Sequence, residues 1–74
     1  MSTWFTEREN IRIEELCDAI TLALEEAERE EVSFDAGEAG GVSVLEDVRG
    51  RARAAGYVAA ISGGVLTVRK KPPT

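Results

Sequence analysis

The sequence predicts a single α+β domain in which two helices pack on one face of a small antiparallel sheet. Three observations lead to this fold class. Apolar residues recur every three or four positions over the first third of the chain, a Gly-Gly pair separates two alternating segments near its end, and 74 residues provide one thin core. The predicted order is α-β-α-β-β over residues 1–74, with a C-terminal β-hairpin, and residues 1–5 and 72–74 are expected to fray.

The first helix is predicted to run from Glu7 to about Glu30. Thr6 and Glu9 match a capping box, in which each side chain accepts a hydrogen bond from the backbone amide of the other residue. The apolar stripe that follows comprises Ile13, Leu16, Cys17, Ile20, Ala23, Leu24 and Ala27. We expect this stripe to face the core, with the single cysteine of the chain buried in it as a small apolar side chain.

A short strand and a glycine-rich loop are predicted next. Val32 to Phe34 alternate apolar and polar residues, as a half-buried strand does, and residues 35–41 contain three glycines. A loop between a strand and a helix is a common place for phosphate, but this one has no lysine, and Asp35 and Glu38 would repel an anion. The two acids also lack the alternating ligand pattern of a calcium loop. We therefore predict a connector without a ligand.

The second helix is predicted to begin at Ser43, which forms a second capping box with Glu46. Gly56 suits the left-handed position that follows many helices. Gly50 lies inside the helix, where glycine costs about 1 kcal/mol relative to alanine. Its presence there indicates close packing against a neighbouring element.

The last two strands are predicted to form a tight hairpin. Residues 57–62 and 65–70 flank Gly63 and Gly64, and a two-residue turn of this kind needs positive φ angles that glycine adopts readily. The turn fixes the register, so that alternate side chains share one face of the hairpin. Those predicted to face the core are Tyr57, Ala59, Ile61, Leu66 and Val68.

The composition argues against catalysis. Histidine is absent, which removes the commonest general base and metal ligand, and the sequence has no Cys/His spacing for zinc. The many carboxylates are predicted on a helix face exposed to water, whereas acid catalysis needs two carboxyl groups in different environments of one cleft. We predict that the protein is not an enzyme and uses no cofactor or metal.

The expected location is the cytoplasm, without membrane contact. The N-terminus lacks the basic and apolar parts of a signal peptide, and no apolar run is long enough to span a membrane. A single cysteine fits a reducing compartment, since it cannot form an intrachain disulfide.

The charges are separated along the chain. All 14 acidic residues lie in positions 1–47 with three arginines, whereas the six bases of residues 48–74 have no acid among them. Five of the acids fall in residues 25–31, predicted as the end of the first helix, where the helix dipole disfavours them. Such poles can pair within the fold, between two copies or with another molecule, and a homodimer is compatible with them.

The preferred hypothesis is binding to a protein with a basic surface. Ile11 and Leu22 lie opposite the apolar stripe and interrupt the acidic side of the first helix. Apolar anchors within a charged rim are typical of protein contacts. The predicted partner-binding residues are Trp4, Phe5, Ile11, Glu15, Asp18, Leu22, Glu25 and Glu26. The chain would then be an accessory or inhibitor protein of the kind that phages encode.

The alternative hypothesis is nucleic-acid binding. A short helix with three arginines, followed by a hairpin that ends in three bases, resembles the recognition helix and wing of a winged-helix domain over about residues 43–71. A complete winged helix has another helix directly before the recognition helix, where this sequence predicts the 35–41 loop. The resemblance implies contacts to nucleic acid by Arg49, Arg51, Arg53, Arg69, Lys70 and Lys71. The acidic half of the chain would oppose them.

Overall fold

The computed structural model describes residues 5–72, so Trp4 lies outside the described residues. The elements are α1 (Glu7–Thr21), a π-helical turn (Leu22–Glu26), β1 (Glu31–Asp35), α2 (Ala36–Ala39), α3 (Val42–Ala54), β2 (Val58–Ser62) and β3 (Val65–Arg69). The predicted α+β class and C-terminal hairpin are confirmed, with α2 as an additional element. β3 is the central strand of an antiparallel sheet in the order β1-β3-β2.

The core lies between α1, α3 and the inner face of the sheet. Its largest fully buried side chains are Ile13, Leu24, Leu45, Leu66, Val44, Val48 and Val68. Two inward rows of side chains cross the sheet: Val32-Val68-Ala59 and Phe34-Leu66-Ile61. These rows confirm the register predicted for the hairpin, because the Gly63-Gly64 turn fixes which residues lie opposite each other.

The first helical segment ends at Glu26, four residues earlier than predicted. The Ala27 amide donates to the Leu22 carbonyl at 2.8 Å, which widens the last turn into a π turn. The Arg29 amide then closes the segment on the Ala23 carbonyl at 2.9 Å. The four residues after Ala27 are all charged, so no apolar side chain holds a further helical turn on the core.

The five acids of residues 25–31, which the sequence predicts at the end of this helix, therefore lie in three different structural elements. Glu25 and Glu26 lie in the π turn, Glu28 and Glu30 lie in the connection, and Glu31 opens β1. The unfavourable interaction with the helix dipole is limited to the first two, since the effect fades beyond the terminal turn.

Glu28 has a φ angle of 52°, the left-handed conformation that glycine commonly adopts after a helix. Glu28→Gly should therefore raise the free energy of unfolding by about 1 kcal/mol, because a Cβ makes this conformation unfavourable. Thermal unfolding followed by circular dichroism measures the change. Glu30→Gly is the matched control, since it removes an acid where φ is not positive. An equal increase in the free energy of unfolding in both variants would attribute the effect to the loss of negative charge and not to the backbone conformation of residue 28.

Residues 35–41 contain a helix and are not the loop that the sequence predicts. Asp35 Oδ1 accepts a hydrogen bond from the Glu38 amide at 2.7 Å, and Glu38 Oε1 accepts one from the Asp35 amide at 3.3 Å. This reciprocal pair is a capping box that starts α2. Gly40 ends it with a φ angle of 89° and an amide that donates to the Ala36 carbonyl at 3.0 Å. The loop is predicted from the three glycines of this segment, which lie beside the capping residues and not within their hydrogen bonds.

The start of α3 also differs from the prediction. Gly41 is the N-cap and no side chain caps the helix, so Ser43 and Glu46 do not form the predicted capping box. Apart from the backbone of its own helix, no described atom lies within 4 Å of the position that a Cβ would take at Gly50, so the predicted close packing against a neighbouring element is absent there. Gly56, with a φ angle of 97°, does occupy the predicted left-handed position.

Candidate protein-binding surface

Two large apolar side chains lie on the solvent-facing side of the first helix. Ile11 is 52% exposed and Leu22, directly after α1, is 53% exposed, whereas the opposite side of the helix is buried in the core. They are eleven residues apart, which is three turns and about 16 Å along the axis. Glu15 and Asp18 lie between them on the same side. We call these four residues the α1 outer face.

The acids of the α1 outer face have few partners within the molecule. Glu15 Oε1 lies 3.4 Å from Arg12 Nη1, but both side chains are exposed, so this pair contributes less than ~1 kcal/mol. Asp18 forms no ion pair with any residue between 5 and 72. Glu14 and Glu26 add exposed acids at the margins. The α1 outer face therefore has a negative electrostatic potential that can attract a positively charged partner.

An open groove adjoins Ile11. It lies between the first half of α1 and α2, has a volume of about 500 Å³, and is mostly apolar. Arg12 forms part of its wall, where Nε and Nη2 donate to the Glu38 carbonyl at 3.0 and 2.7 Å and hold α2 beside α1. No local sequence pattern predicts this contact, because the two residues are 26 positions apart.

Glu25 and Glu26 have different surroundings. The Tyr57 hydroxyl donates to Glu25 Oε2 at 2.9 Å, and Lys70 Nζ lies 3.8 Å from Glu25 Oε1. These contacts tie Glu25 to the hairpin. Glu26 is exposed and makes no side-chain hydrogen bond or ion pair within the described part of the chain. Of the two predicted partner-binding acids in the π turn, Glu26 is therefore the more available.

Tyr57 is the single tyrosine of the chain, so its pKa can be measured without overlap and is sensitive to the contact with Glu25. Burial raises the pKa of Tyr57 above its ordinary value of 10.0, and the hydrogen bond to Glu25 raises it further. Glu25→Gln should lower this pKa, because a neutral amide retains the phenol proton less strongly than a carboxylate does. Absorbance titration of the phenolate measures it, with Glu26→Gln as a control that should leave the pKa unchanged.

The raised pKa of Tyr57 also links stability to pH. The folded-state pKa of Tyr57 lies above its unfolded-state value, so the fold favours the protonated phenol. The contribution of this preference to the free energy of unfolding is complete below about pH 10 and is lost as the pH rises through the folded-state pKa. An identical phenolate titration in the wild-type protein and Glu25→Gln would contradict the Tyr57–Glu25 contact.

The two charge poles meet at one end of the sheet. β1 pairs with β3 so that Glu31 lies opposite Arg69, with 3.9 Å between Oε1 and Nη2. Residues 28–31 and 69–72 line one open cleft of about 510 Å³. The acidic cluster and the basic end of the hairpin thus offset each other locally. Both side chains of the ion pair are more than half exposed, so its stabilising effect is small.

The three arginines of α3 do not form one free basic surface. Arg51 Nε donates to Asp47 Oδ2 at 2.7 Å, one helical turn away. Arg53 Nε donates to the Ala59 carbonyl of β2 at 3.0 Å. Arg49 is partly buried. Two of the three are therefore engaged within the molecule, which reduces their value as phosphate contacts.

The remaining predicted nucleic-acid residues lie at the base of the hairpin and not at its tip. Arg69 and Lys70 face Glu31 and Glu25, as described above. Lys71 follows them and is exposed. A wing that reaches a nucleic acid with its tip would present the Gly63-Gly64 turn, which carries no charge.

Phe5 does not lie with Ile11 and Leu22. It packs against the core as a partly buried side chain and lines a depression with Glu9, Ser43 and other residues at the start of α3. The structure therefore does not bring this predicted anchor to the α1 outer face. The other predicted aromatic anchor, Trp4, is outside the described range.

Cys17 is partly exposed, although the sequence predicts a buried thiol. It lies in a small cleft between α1 and α3, near Arg51 and Tyr57. Desolvation raises the pKa of the thiol and outweighs the opposing effect of Arg51. The thiol therefore stays protonated at neutral pH and is a weak nucleophile.

Between residues 5 and 72, no group of three or more Asp, Glu, Cys or His residues is placed to hold a metal ion. No helix in the same range is long and apolar enough to cross a membrane. Comparisons of the chain with protein families, curated proteins and solved structures gave no match.

Proposed function

We propose that this protein is a non-catalytic binding protein that presents the α1 outer face to a basic surface of another protein. It would act as an accessory or inhibitor protein. The observation that carries the proposal is the position of Ile11 and Leu22. They are two of the four large apolar side chains exposed in the described part of the chain, and both lie on the acidic side of one helix.

Burial of these two side chains would supply affinity. Full burial of an aliphatic side chain contributes about 1.5–3 kcal/mol, so the exposed halves of both residues together offer roughly the same amount, about 1.5–3 kcal/mol. The groove beside Ile11 extends the apolar surface. A lysine or arginine of the partner could lay its aliphatic stem there and place its charge near Glu15.

The acids determine which partner fits. Glu15, Asp18 and Glu26 would speed association with a basic surface and oppose an acidic one. Their contribution to affinity is smaller than that of the apolar anchors, because charges at the rim of a contact remain in water. The proposed surface thus combines central anchors with peripheral charge.

Affinity capture from a lysate of the native cells, with this chain as bait, tests the proposal. We expect a protein with a basic surface, whose retention weakens as salt rises because screening shortens the range of the acidic field. Capture of nucleic acid alone, or of an acidic protein whose retention does not depend on salt, would contradict the proposal.

Nucleic-acid binding is the second candidate, and one observation favours it. α2, a single turn of four residues, lies directly before α3, at the place where a winged helix has its preceding helix, and two glycines connect the two helices. Titration of duplex DNA at low salt tests this candidate. It predicts binding that is lost when Arg69, Lys70 and Lys71 are all replaced by alanine, since phosphate contacts dominate such affinity. No binding at low salt would exclude it.

A further inference from the structure

β2 is an edge strand that carries no charged residue. Strands at the edges of natural sheets usually carry charges, prolines or bulges that discourage pairing with another molecule. The opposite edge, β1, follows this rule with Glu31 and Asp35 at its two ends. β2 has the sequence Val-Ala-Ala-Ile-Ser and has none of these features. Its edge is therefore the one at which another strand could add.

The backbone groups along this edge can be assigned from the hairpin. In a two-residue hairpin the flanking residues, Ser62 and Val65, exchange both of their backbone hydrogen bonds. Ala59 and Ile61 then direct their amides and carbonyls away from β3. The Arg53 side chain reaches the Ala59 carbonyl from outside the sheet, which agrees with this orientation. The carbonyl keeps a second lone pair for another donor.

We propose that a second copy of this chain occupies the β2 edge and forms a two-fold symmetric dimer. Antiparallel pairing of β2 with itself about Ala60 sets Ala59 of one copy opposite Ile61 of the other, twice, for four backbone hydrogen bonds. The two copies of Ala60 lie opposite each other at the axis, where their small side chains allow the strands to approach. Because each copy has a net charge of −5, an uncharged strand is the element at which two copies repel each other least.

The face of α3 beside this edge fits the same dimer. α3 packs over β2, and the chain reverses between them where the Tyr57 amide donates to the Ala52 carbonyl at 3.0 Å. Counted from the facing ends of the two elements, Ala54 and Val58, Gly50 lies about 6 Å along α3 and Ala60 about 7 Å along β2, so the two residues are nearly level. No described atom would touch a Cβ at Gly50, and Ala54, one turn later, is exposed. Two copies of α3 could therefore approach closely across the axis.

The charges on this face of α3 are complementary to the charges on the same face of a second copy. If two copies of α3 cross antiparallel at Gly50, Glu46 of each copy lies opposite Arg53 of the other. Arg53 uses Nε for the Ala59 carbonyl, which leaves its two terminal nitrogens for Glu46 of the second copy. The strand edge and the helix face thus point to the same axis. The α1 outer face takes no part, so this dimer does not depend on the proposed function.

The mass of the protein in solution, measured by sedimentation equilibrium from micromolar to millimolar concentration, tests the dimer. We expect the mass to rise from 8.0 kDa to twice that value. Ala60→Asp places two carboxylates together at the axis and should weaken the dimer on the order of 100-fold. Ser33→Asp is the matched control in the same row of the sheet at the other edge, and it should not weaken association. A monomer at all concentrations, or a dimer that Ala60→Asp leaves intact, would overturn the proposal.

A charge exchange tests the contribution of α3. Arg53→Glu and Glu46→Arg should each weaken association roughly 10-fold, and the double variant should restore it because the opposite charges face each other again. Gly50→Leu should weaken the dimer while the dilute monomer unfolds at an unchanged or higher temperature, since leucine favours the helix. A stronger dimer in Arg53→Ala would show that Arg53 covers the edge instead of pairing across it, and would overturn the assignment.

Discussion

Leu45→Ala should remove most of the stability of the folded protein. Leu45 is fully buried in α3, at the centre of the core. Truncation of a buried leucine costs about 2–5 kcal/mol, because apolar burial is lost and a cavity remains. A domain of this size rarely has more than about 5 kcal/mol in total. We therefore expect a large shift of the urea midpoint to lower concentration, measured by circular dichroism, or a chain that is mostly unfolded without denaturant.

Leu22→Ala is the matched control for this prediction. It removes the same atoms from a side chain that is 53% exposed. Surface substitutions of this kind usually change stability by less than about 0.5 kcal/mol. Similar losses in Leu45→Ala and Leu22→Ala would contradict the assignment of Leu45 to the core and of Leu22 to the surface.

Ile11→Asp combined with Leu22→Asp should abolish capture of the partner and leave the protein folded. In the proposed complex, two carboxylates would lose their water within an apolar contact, which costs several kcal/mol for each unpaired charge. In the free protein both positions remain half in water, so the free energy of unfolding should fall by no more than about 1 kcal/mol, mainly through helix propensity. Pull-down and thermal unfolding of the same preparation measure the two effects.

Val42→Asp combined with Val58→Asp is the control for added charge. These residues are 49% and 43% exposed, and neither lies on α1. The control variant adds the same two negative charges and should retain the partner. Continued capture by the α1 variant would contradict the proposed surface. Loss of capture in both variants would attribute the effect to net charge.

The features of this structure that depend on residues close together along the chain could be predicted from the sequence. The inward row of α1 follows from three- and four-residue spacing, and the hairpin register follows from the Gly63-Gly64 turn. The exposure of Ile11 and Leu22 follows from the same helical period. The spacing of Asp35 and Glu38 is a sequence signal for α2, but the glycines around it favour a loop, and the loop prediction is wrong for this reason.

The remaining features depend on residues that are distant in the chain. Arg12 reaches the Glu38 carbonyl only because α2 folds against α1, and Tyr57 reaches Glu25 only because the hairpin passes the π turn. The sequence could show two charge poles but not that residues 28–31 and 69–72 line the same cleft. The acidic cluster that looked most unusual in the sequence is thus partly offset within the fold. The α1 outer face keeps its acids available.

The most direct test of the α1 outer face is a map of the residues that change when the captured partner binds. Backbone amide NMR spectra of the isotope-labelled chain, recorded during titration with that partner, would provide it. We predict that the largest shift changes cluster around Ile11, Glu15, Asp18 and Leu22, with β2 and β3 nearly unaffected. Changes centred on α3 and the hairpin, with α1 unperturbed, would contradict the proposed surface.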